Sequence, residues 1–410
     1  MTQMRKAASA AVLFLGFLIM VGCGDTYRPI AYPIPKPGGD PQTFDYVAII
    51  NSNGTNNGSV TQINVGGDSA SAVTPIGKQP ATAGFNYSQT ALLVPNYADD
   101  TLSEITSSST TATTLTMATG SKPTFVGAVS SGLFSLNSGV NANCPTSPSL
   151  GVIDGSSFTL RTNVCVGTNP VFGIAVDADR VFVVDKGANK VYVVNVTTDA
   201  VTNSISVGTA PVYAVLSPDA AYAYVLNQGS DNISVIDTTA ESVVATVPSG
   251  GNAPSLADFD STLTRLYVVN TGSDSVSVFD VSTLKSPTAL HTPVTLSATP
   301  NSFAVLPDGS RAFAGLAGTN QVAEINTGSY SVKTITVGTT ASSTVNSVGR
   351  SNDGSKVYAA TVEPTDLQNA TTIIRTTDDA IVGNILAPLQ DPTCSGTSCK
   401  LQRPYLVISR

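Results

Sequence analysis

The chain has 410 residues, of which 41% are hydrophobic and 12% are charged, and its formal net charge is −8. This composition can bury a large core. An acidic chain without basic clusters argues against nucleic acid as a partner.

The first 22 residues have the pattern of a targeting segment. Arg5 and Lys6 form a short positive region, and residues 7–21 are apolar but too short for a comfortable membrane span. We therefore predict a signal peptide over residues 1–22.

This segment ends in Met20-Val21-Gly22-Cys23, which resembles a bacterial lipoprotein box. The pattern predicts cleavage before Cys23 and lipidation of its thiol, and an ordinary secretory signal that ends in cysteine is the alternative. Residues 23–43 are rich in proline and predict an extended tether, which favours lipidation. We expect a cell-envelope protein that contacts the membrane only through its lipid, and Gly24 favours the outer membrane.

Residues 210–250 contain four short strand-like runs separated by turns. The runs cover residues 212–216, 222–226, 233–236 and 243–247 and are rich in residues that suit a pleated surface. Pro211 opens the first run, a position where a residue that cannot donate to a ladder is tolerated. Ser217-Pro218-Asp219 and residues 227–232 supply turn chemistry. The stretch predicts a small four-stranded antiparallel sheet.

The same unit recurs along most of the chain. From Pro80 to Pro300 its opening proline returns at spacings of roughly 41 to 47 residues, and the longer gap to Pro404 holds two units and an insertion, with one opening without proline near Ser343. The prolines are Pro80, Pro123, Pro170, Pro211, Pro254, Pro300 and Pro404. A period of this size is typical of a β-propeller, so we predict an all-β propeller as a single domain over residues 44–410.

The most regular units are similar to a known family. Residues 224–239 (YVLNQGSDNISVIDTT) and 267–281 (YVVNTGSDSVSVFDV) resemble the YVTN family of β-propeller repeats, which occur in bacterial and archaeal cell-surface proteins. The resemblance extends roughly over residues 44–410 and is strongest between Pro170 and Gly338. Two irregular loops, residues 137–149 and 363–369, replace the regular turn in their units.

The ends of the chain complete one further unit. Residues 46–51, 59–65 and 71–76 match the second, third and fourth strands, and residues 405–409 match the first. In propellers of this kind the first strand lies innermost, so we expect the C-terminal strand to close a blade that the N-terminal region begins. This gives eight blades and hides sheet edges. Seven blades, common in the resembling family, is the alternative.

The five cysteines fall into three groups. Cys23 is assigned to the lipid, Cys144 and Cys165 share one repeat unit, and Cys394 and Cys399 lie close together near the C-terminus. An oxidising compartment predicts two disulfides, Cys144–Cys165 and Cys394–Cys399. A metal site is the rival interpretation, and it is disfavoured because no histidine lies near either pair.

Candidate catalytic residues are scarce. The single histidine, His291, is expected at an exposed rim, and no nucleophile elbow accompanies it. Asp258 is the one acidic residue in the predicted innermost strands. We therefore predict no catalytic residue, no cofactor and no metal site.

Polar residues recur at the turns, and three aromatic residues follow opening prolines by two positions. Carboxylates and amides there could form a ring of oxygen ligands for Ca²⁺ or a sugar, but turn chemistry repeated with the fold is favoured. The aromatic residues could stack on a ligand at one mouth of the channel, although packing between inner strands is the simpler explanation. The candidate binding face comprises Asn96, Asp99, Phe125, Phe172, Asp185, Asn189, Tyr213, Asn227, Asp231, Asn270 and Asp274.

Two functions fit these observations. The first is a monomeric, non-catalytic binding scaffold whose partner is another envelope protein or a polysaccharide. The irregular loops are expected at its binding face, because insertions in repeats often mark that face. The alternative is a hydrolase, since similar propellers include lactonases that use a channel metal. Fold alone does not decide between them.

Overall fold

The computed structural model describes residues 46–107, 109–260, 264–396 and 398–409. These residues form eight antiparallel sheets arranged as the blades of a ring. The prediction of an eight-bladed propeller is confirmed, and the seven-bladed alternative is wrong. The predicted signal peptide, Cys23 and the tether lie outside the described residues. Within those residues, no helix has the length and apolar character needed to cross a membrane.

Strands are numbered along the chain, and blades are numbered in the order in which the chain begins them. The first four blades contain β1 (Val47–Asn53), β2 (Asn56–Asn64) and β3 (Ser69–Lys78); β4 (Gly84–Phe85), β5 (Ala91–Asn96), β6 (Thr101–Thr106) and β7 (Thr113–Thr116); β8 (Pro123–Val129), β9 (Gly132–Asn137), β10 (Ser149–Asp154) and β11 (Thr159–Cys165); and β12 (Pro170–Ala175), β13 (Arg180–Asp185), β14 (Lys190–Asn195) and β15 (Ala200–Ser206).

Blades 5 to 8 continue the pattern, except that two short strands share the outer position of blade 6. They contain β16 (Pro211–Leu216), β17 (Tyr222–Asn227), β18 (Asn232–Asp237) and β19 (Ser242–Pro248); β20 (Pro254–Phe259), β21 (Arg265–Asn270), β22 (Ser275–Asp280), β23 (Thr288–Ala289) and β24 (Val294–Thr295); β25 (Pro300–Val305), β26 (Arg311–Leu316), β27 (Gln321–Asn326) and β28 (Val332–Thr336); and β29 (Thr344–Arg350), β30 (Lys356–Val362), β31 (Ala370–Arg375) and β32 (Ala380–Leu386).

The last strand, β33 (Arg403–Ser409), returns to blade 1 and lies beside β1. Its register pairs Val47 with Ser409 and Ile49 with Val407. The C-terminal strand is therefore the innermost strand of the blade that β1 begins, as predicted.

The core lies between neighbouring blades rather than inside each one. Phe182, Val183 and Val184 of β13 are all fully buried, although adjacent residues of a strand face opposite sides of the sheet. Both sides are covered because a blade packs on each, which explains why the second strands have continuous apolar sequences. The interface between blades 8 and 1 is built the same way, with Tyr358 and Val407 in one buried cluster.

The two ends of the ring differ. At one end, which we call the loop face, each blade's first strand begins and its second and third strands are joined. In blade 5 these two loops are hydrogen-bonded, since the N–H of Gln228 donates to Ala210 O at 3.0 Å. We call the opposite end the turn face.

Cations clamp adjacent blades together at the turn face. Arg180 of blade 4 donates to Thr238 O at 2.9 Å and to Glu241 Oε1 at 2.8 Å in blade 5. The same contact recurs between later blades, where Arg311 binds Asp379 and Lys356 binds Asp68. Each cation reaches the same turn of the next blade, so these pairs fix the blade order around the ring.

Candidate functional site

A partly open cavity of about 210 Å³ lies among the inner strands of blades 5 to 8 and blade 1. These strands bring together residues far apart in sequence because every first strand faces the central channel. The cavity is lined by Tyr213, Leu256, Ala257, Asp258, Asn301, Ser302, Phe303, Asn346, Ser347, Val348, Tyr405, Leu406 and Val407.

A row of polar side chains crosses three consecutive blades of this cavity. Asn301 of β25 donates its amide to Val345 O at 2.8 Å, and Asn346 of β29 donates to Pro404 O at 3.0 Å. The row consists of Asn301, Asn346 and Tyr405 of β33. Each amide donates to the carbonyl of the residue that directly precedes the next member of the row. These amides are held in place by the neighbouring blade, so the polar wall of the cavity is fixed before any ligand binds.

Two serine hydroxyls reinforce this wall. Ser302 Oγ accepts the N–H of Val348 at 2.9 Å, and Ser347 Oγ accepts the N–H of Val407 at 3.1 Å. Backbone N–H groups of inner strands therefore bond to the preceding blade. The hydroxyls are part of the ring's own hydrogen bonding as well as of the cavity lining.

The opposite side of the channel is aromatic. The ring centroids of Phe125 and Phe172 are 5.0 Å apart, and those of Phe172 and Tyr213 are 4.5 Å apart. Phe125 and Phe172 are buried, whereas Tyr213 is half-buried and lines the cavity. Stacking between inner strands, one of the two interpretations from sequence, accounts for the two phenylalanines.

Asp258 is the one acidic residue among the described residues that line the cavity. Its Oδ1 accepts the N–H of Phe259 at 2.9 Å, which orients the carboxylate along β20. The neighbouring polar groups are amides and hydroxyls already engaged with adjacent blades. Asp258 therefore supplies the cavity's negative charge.

A channel metal does not fit this donor set. No cluster of three or more His, Cys, Asp or Glu side chains suited to a metal occurs in the described part of the chain. Calcium requires six to eight oxygen ligands, commonly with several carboxylates, and Asp258 has no second carboxylate beside it in the cavity lining.

Tyr405 differs from the other polar residues of the cavity. Its hydroxyl is buried and has no hydrogen-bond partner among the described residues. Burial raises the pKa of the Tyr405 phenol far above its usual value. The phenol is therefore protonated at neutral pH and able to donate a hydrogen bond.

Three turn residues of the candidate binding face, none of them fully buried, contact the next blade's opening loop. Asn189 Oδ1 accepts the N–H of Ala210 at 2.8 Å, and Asp231 Oδ1 accepts the N–H of Ala253 at 2.7 Å. Asp274 accepts the hydroxyl of Thr299 at 2.6 Å. These oxygen atoms therefore connect blades.

Asp99 occupies a different position in its turn. Its Oδ2 accepts the N–H of Lys78, the last residue of β3 in the preceding blade, at 2.7 Å. The position equivalent to Asp231 belongs to Asp100, which accepts the N–H of Lys122 at 2.7 Å. The φ of Asp100 is +55°, close to the +52° of Asp231. The sequence pattern did not identify Asp100, because two adjacent carboxylates occur in that turn and only the backbone conformation distinguishes them.

The remaining members of the face are buried at the ends of second strands. Their side chains bond within the blade: Asn227 Nδ2 donates to Ser234 Oγ at 2.9 Å, and Asp185 Oδ1 accepts the N–H of Gly187 at 2.8 Å. They thus organise the turn that follows each second strand. The residues that share this fully buried position are Asn96, Asp185, Asn227 and Asn270.

Both predicted disulfides form, Cys144–Cys165 and Cys394–Cys399. The first fastens the irregular loop of residues 137–149 to β11. The second lies in residues 387–402, the segment that leads into β33. The irregular loop of residues 363–369 holds the end of that segment and the start of β33. Asn369 donates to Gln402 O at 3.1 Å, and Asp366 binds Arg403 through both carboxylate oxygens at 2.7 and 3.0 Å.

His291 lies outside both regions. It is exposed between β23 and β24, where its ring lies 4.5 Å from that of Tyr330. The prediction of an exposed rim histidine is confirmed.

A family model described as "Lactonase, 7-bladed beta-propeller" matches residues 171–346. The match covers less than half of the chain and runs from β12 to the start of β29. The fold and this match together define a β-propeller protein with similarity to that lactonase family, although this ring has eight blades. No curated protein matches the chain.

Solved structures of the same fold belong to proteins of several kinds. Dihydro-heme d1 dehydrogenase NirN is 12% identical with a TM-score of 0.68, covering 94% of this chain and 79% of its own. The periplasmic gluconolactonase PpgL of Pseudomonas aeruginosa is 16% identical with a TM-score of 0.55, covering 71% and 95%. Kuenenia stuttgartiensis hydrazine synthase is 17% identical with a TM-score of 0.52, covering 72% and 94%. At these identities the likeness shows the fold alone.

Proposed function

We propose that the protein is a lipid-anchored propeller of the cell envelope that binds a small lactone in the channel cavity and hydrolyses it. The observation that carries this proposal is that Asp258 is the one acidic residue in the described lining of a partly open cavity of about 210 Å³ with fixed polar groups. This volume is below the roughly 300–1,000 Å³ of sites for drug-sized molecules, which favours a small ligand. The lactonase-family match and the gluconolactonase neighbour support hydrolysis over a purely non-catalytic role.

Asp258 acts as the general base in this proposal. Its carboxylate takes a proton from a water molecule as the water oxygen attacks the lactone carbonyl carbon. The bond from that carbon to the ring oxygen then breaks, and the ring oxygen takes the proton back from Asp258, which gives the hydroxy acid and restores the carboxylate. A positioned base contributes typically about 10²- to 10⁴-fold to such a step.

The test is hydrolysis of D-glucono-1,5-lactone and γ-butyrolactone, followed as acid release in a pH-stat. We expect turnover above the uncatalysed rate and a loss of about 100-fold or more in kcat for Asp258→Asn. Asp308→Asn is the matched control, because Asp308 caps a turn outside the cavity and asparagine can keep that role. A wild-type rate equal to that of buffer, or full activity in Asp258→Asn, would contradict the proposal.

A binding scaffold is the second candidate, and the grouping of irregular segments at the loop face favours it. Residues 137–149, 363–369 and 387–402 all lie there, and Val140 and Leu367 expose 52% and 38% of their surface. The proposed partner is an envelope protein or polysaccharide, bound by a monomer. A variant with a short turn in place of residues 137–149, together with Cys165→Ser, should fold and capture less partner from envelope extract. Unchanged capture of the same partner would count against this face.

A further inference from the structure

Two consecutive blades place the same pair of polar residues on the wall of the cavity. The pairs are Asn301 with Ser302 on β25 and Asn346 with Ser347 on β29, and each serine follows a register shift in its inner strand. The pairs make the same contacts to the next blade, since each amide donates to a backbone carbonyl and each serine hydroxyl accepts a backbone N–H. Any difference between them therefore arises inside the blade.

The pairs differ in one hydrogen bond. In blade 7 the hydroxyl of Ser302 donates to Asn301 Oδ1 at 2.9 Å. In blade 8 none of the described residues donates to Asn346 Oδ1. Asn346 is half-buried and lines the cavity, so this acceptor oxygen is available to a ligand.

The residue opposite each serine explains the difference. Ser302 pairs with Gly315 on the neighbouring strand, whereas Ala360 occupies the same place in blade 8. A Cβ atom at Gly315 would lie 2.7 Å from Asn301 Oδ1, a distance at which one of the two atoms must move. Ala360 has that Cβ atom, so the Asn346 oxygen cannot take the corresponding position beside its serine.

We infer that Asn346 is a specificity-determining residue whose Oδ1 accepts a hydrogen bond from a ring hydroxyl of the ligand. An amide oxygen only accepts, so the ligand group opposite it must be a donor, which an unsubstituted lactone lacks. The amide is already held by Pro404 O, so little ordering is needed on binding. That the ligand is a lactone rests on the proposed function, whereas the need for a donor rests on the cavity.

The test measures affinity by calorimetry for two non-hydrolysed lactams, D-glucono-1,5-lactam and δ-valerolactam, which share the ring and its N–H and differ in the hydroxyl groups. We expect Asn346→Ala to raise Kd for D-glucono-1,5-lactam about 10-fold, which matches one lost hydrogen bond, and to leave Kd for δ-valerolactam within about twofold of wild type. KM for D-glucono-1,5-lactone should rise by the same factor as Kd for its lactam.

Asn301→Ala is the matched control, because it removes the equivalent contact to the next blade, while the oxygen of Asn301 is already bonded to Ser302. The two variants should lose a similar amount in Tm, and Asn301→Ala should keep Kd for D-glucono-1,5-lactam within about twofold of wild type. Equal affinity of Asn346→Ala and wild type for this lactam would overturn the inference, as would an equal rise in Kd for both lactams or in both variants.

Two further outcomes need no variant or separate the two proposals. Equal affinity of the wild-type protein for the two lactams would overturn the inference. Lactam binding that depends on Asn346 without lactone turnover would support the inference and contradict the hydrolase proposal. A wild-type protein that neither binds D-glucono-1,5-lactam nor hydrolyses the lactone would overturn both.

Discussion

The carboxylate of Asp231 holds a backbone conformation that few residues adopt. Ala253, whose N–H it accepts, has a φ of +51° and directly precedes Pro254. A positive φ is rare for a residue with a Cβ atom, and the following proline restricts the backbone of Ala253 further. We expect Asp231→Ala to lower the free energy of unfolding by about 1 kcal/mol, measured by urea denaturation, because the N–H of Ala253 then loses its protein partner.

The chain supplies the control for this prediction. Asn189 makes the same contact to Ala210 in the preceding pair of blades, so Asp231→Asn should keep most of the stability. Equal stability of Asp231→Ala and wild type would contradict the role assigned to the carboxylate.

The sequence could predict that such turn residues recur, but not which atoms they bind. Asp231 and Ala253 are separated in sequence by both β18 and β19, and their contact exists only because two blades are neighbours in the ring. The same reason explains why the clamp from Arg180 to Glu241 was not predicted.

Among the loops, the irregular segment between β9 and β10 has no strand of its own, and the Cys144–Cys165 disulfide fastens it to β11. Its cysteines are separated by 21 residues, and the chain-entropy model assigns about 3 kcal/mol to a loop of this length. Cys144→Ser with Cys165→Ser should lower the free energy of unfolding by about that amount in denaturant titration under oxidising conditions.

The second disulfide provides the comparison. Cys394 and Cys399 are 5 residues apart, and the same model gives a smaller effect of about 2 kcal/mol for their double serine variant. A greater loss from removing Cys394–Cys399 would show that loop closure does not dominate the stabilisation.

The sequence located both irregular loops because each interrupts the repeat. It did not predict that residues 363–369 hold the segment leading into β33. That contact includes the pair Asp366–Arg403, whose members lie 37 residues apart. Here the repeat pattern gives no information, since the segment before β33 has no counterpart in other units.

For the whole molecule, the spacing of the opening prolines and the two terminal fragments were enough to predict eight blades and their closure. The channel was predicted less well. Asp258 was identified, but the polar row ending at Tyr405 was not. Its members come from blades 7, 8 and 1, and only the closed ring places them side by side.

Closure of the ring gives the last prediction. Deleting residues 404–410 removes most of β33, leaves the paired edge of β1 open, and takes the buried Val407 and Ile408 out of the core. Loss of two such side chains costs several kcal/mol, so calorimetry should show a Tm lower by about 10 °C or more, or aggregation on size-exclusion chromatography. A synthetic peptide of residues 403–410 added to the truncated protein should raise the Tm, because its strand can pair with β1 again. A truncated protein that melts at the temperature of the full chain would show that β33 does not close the propeller.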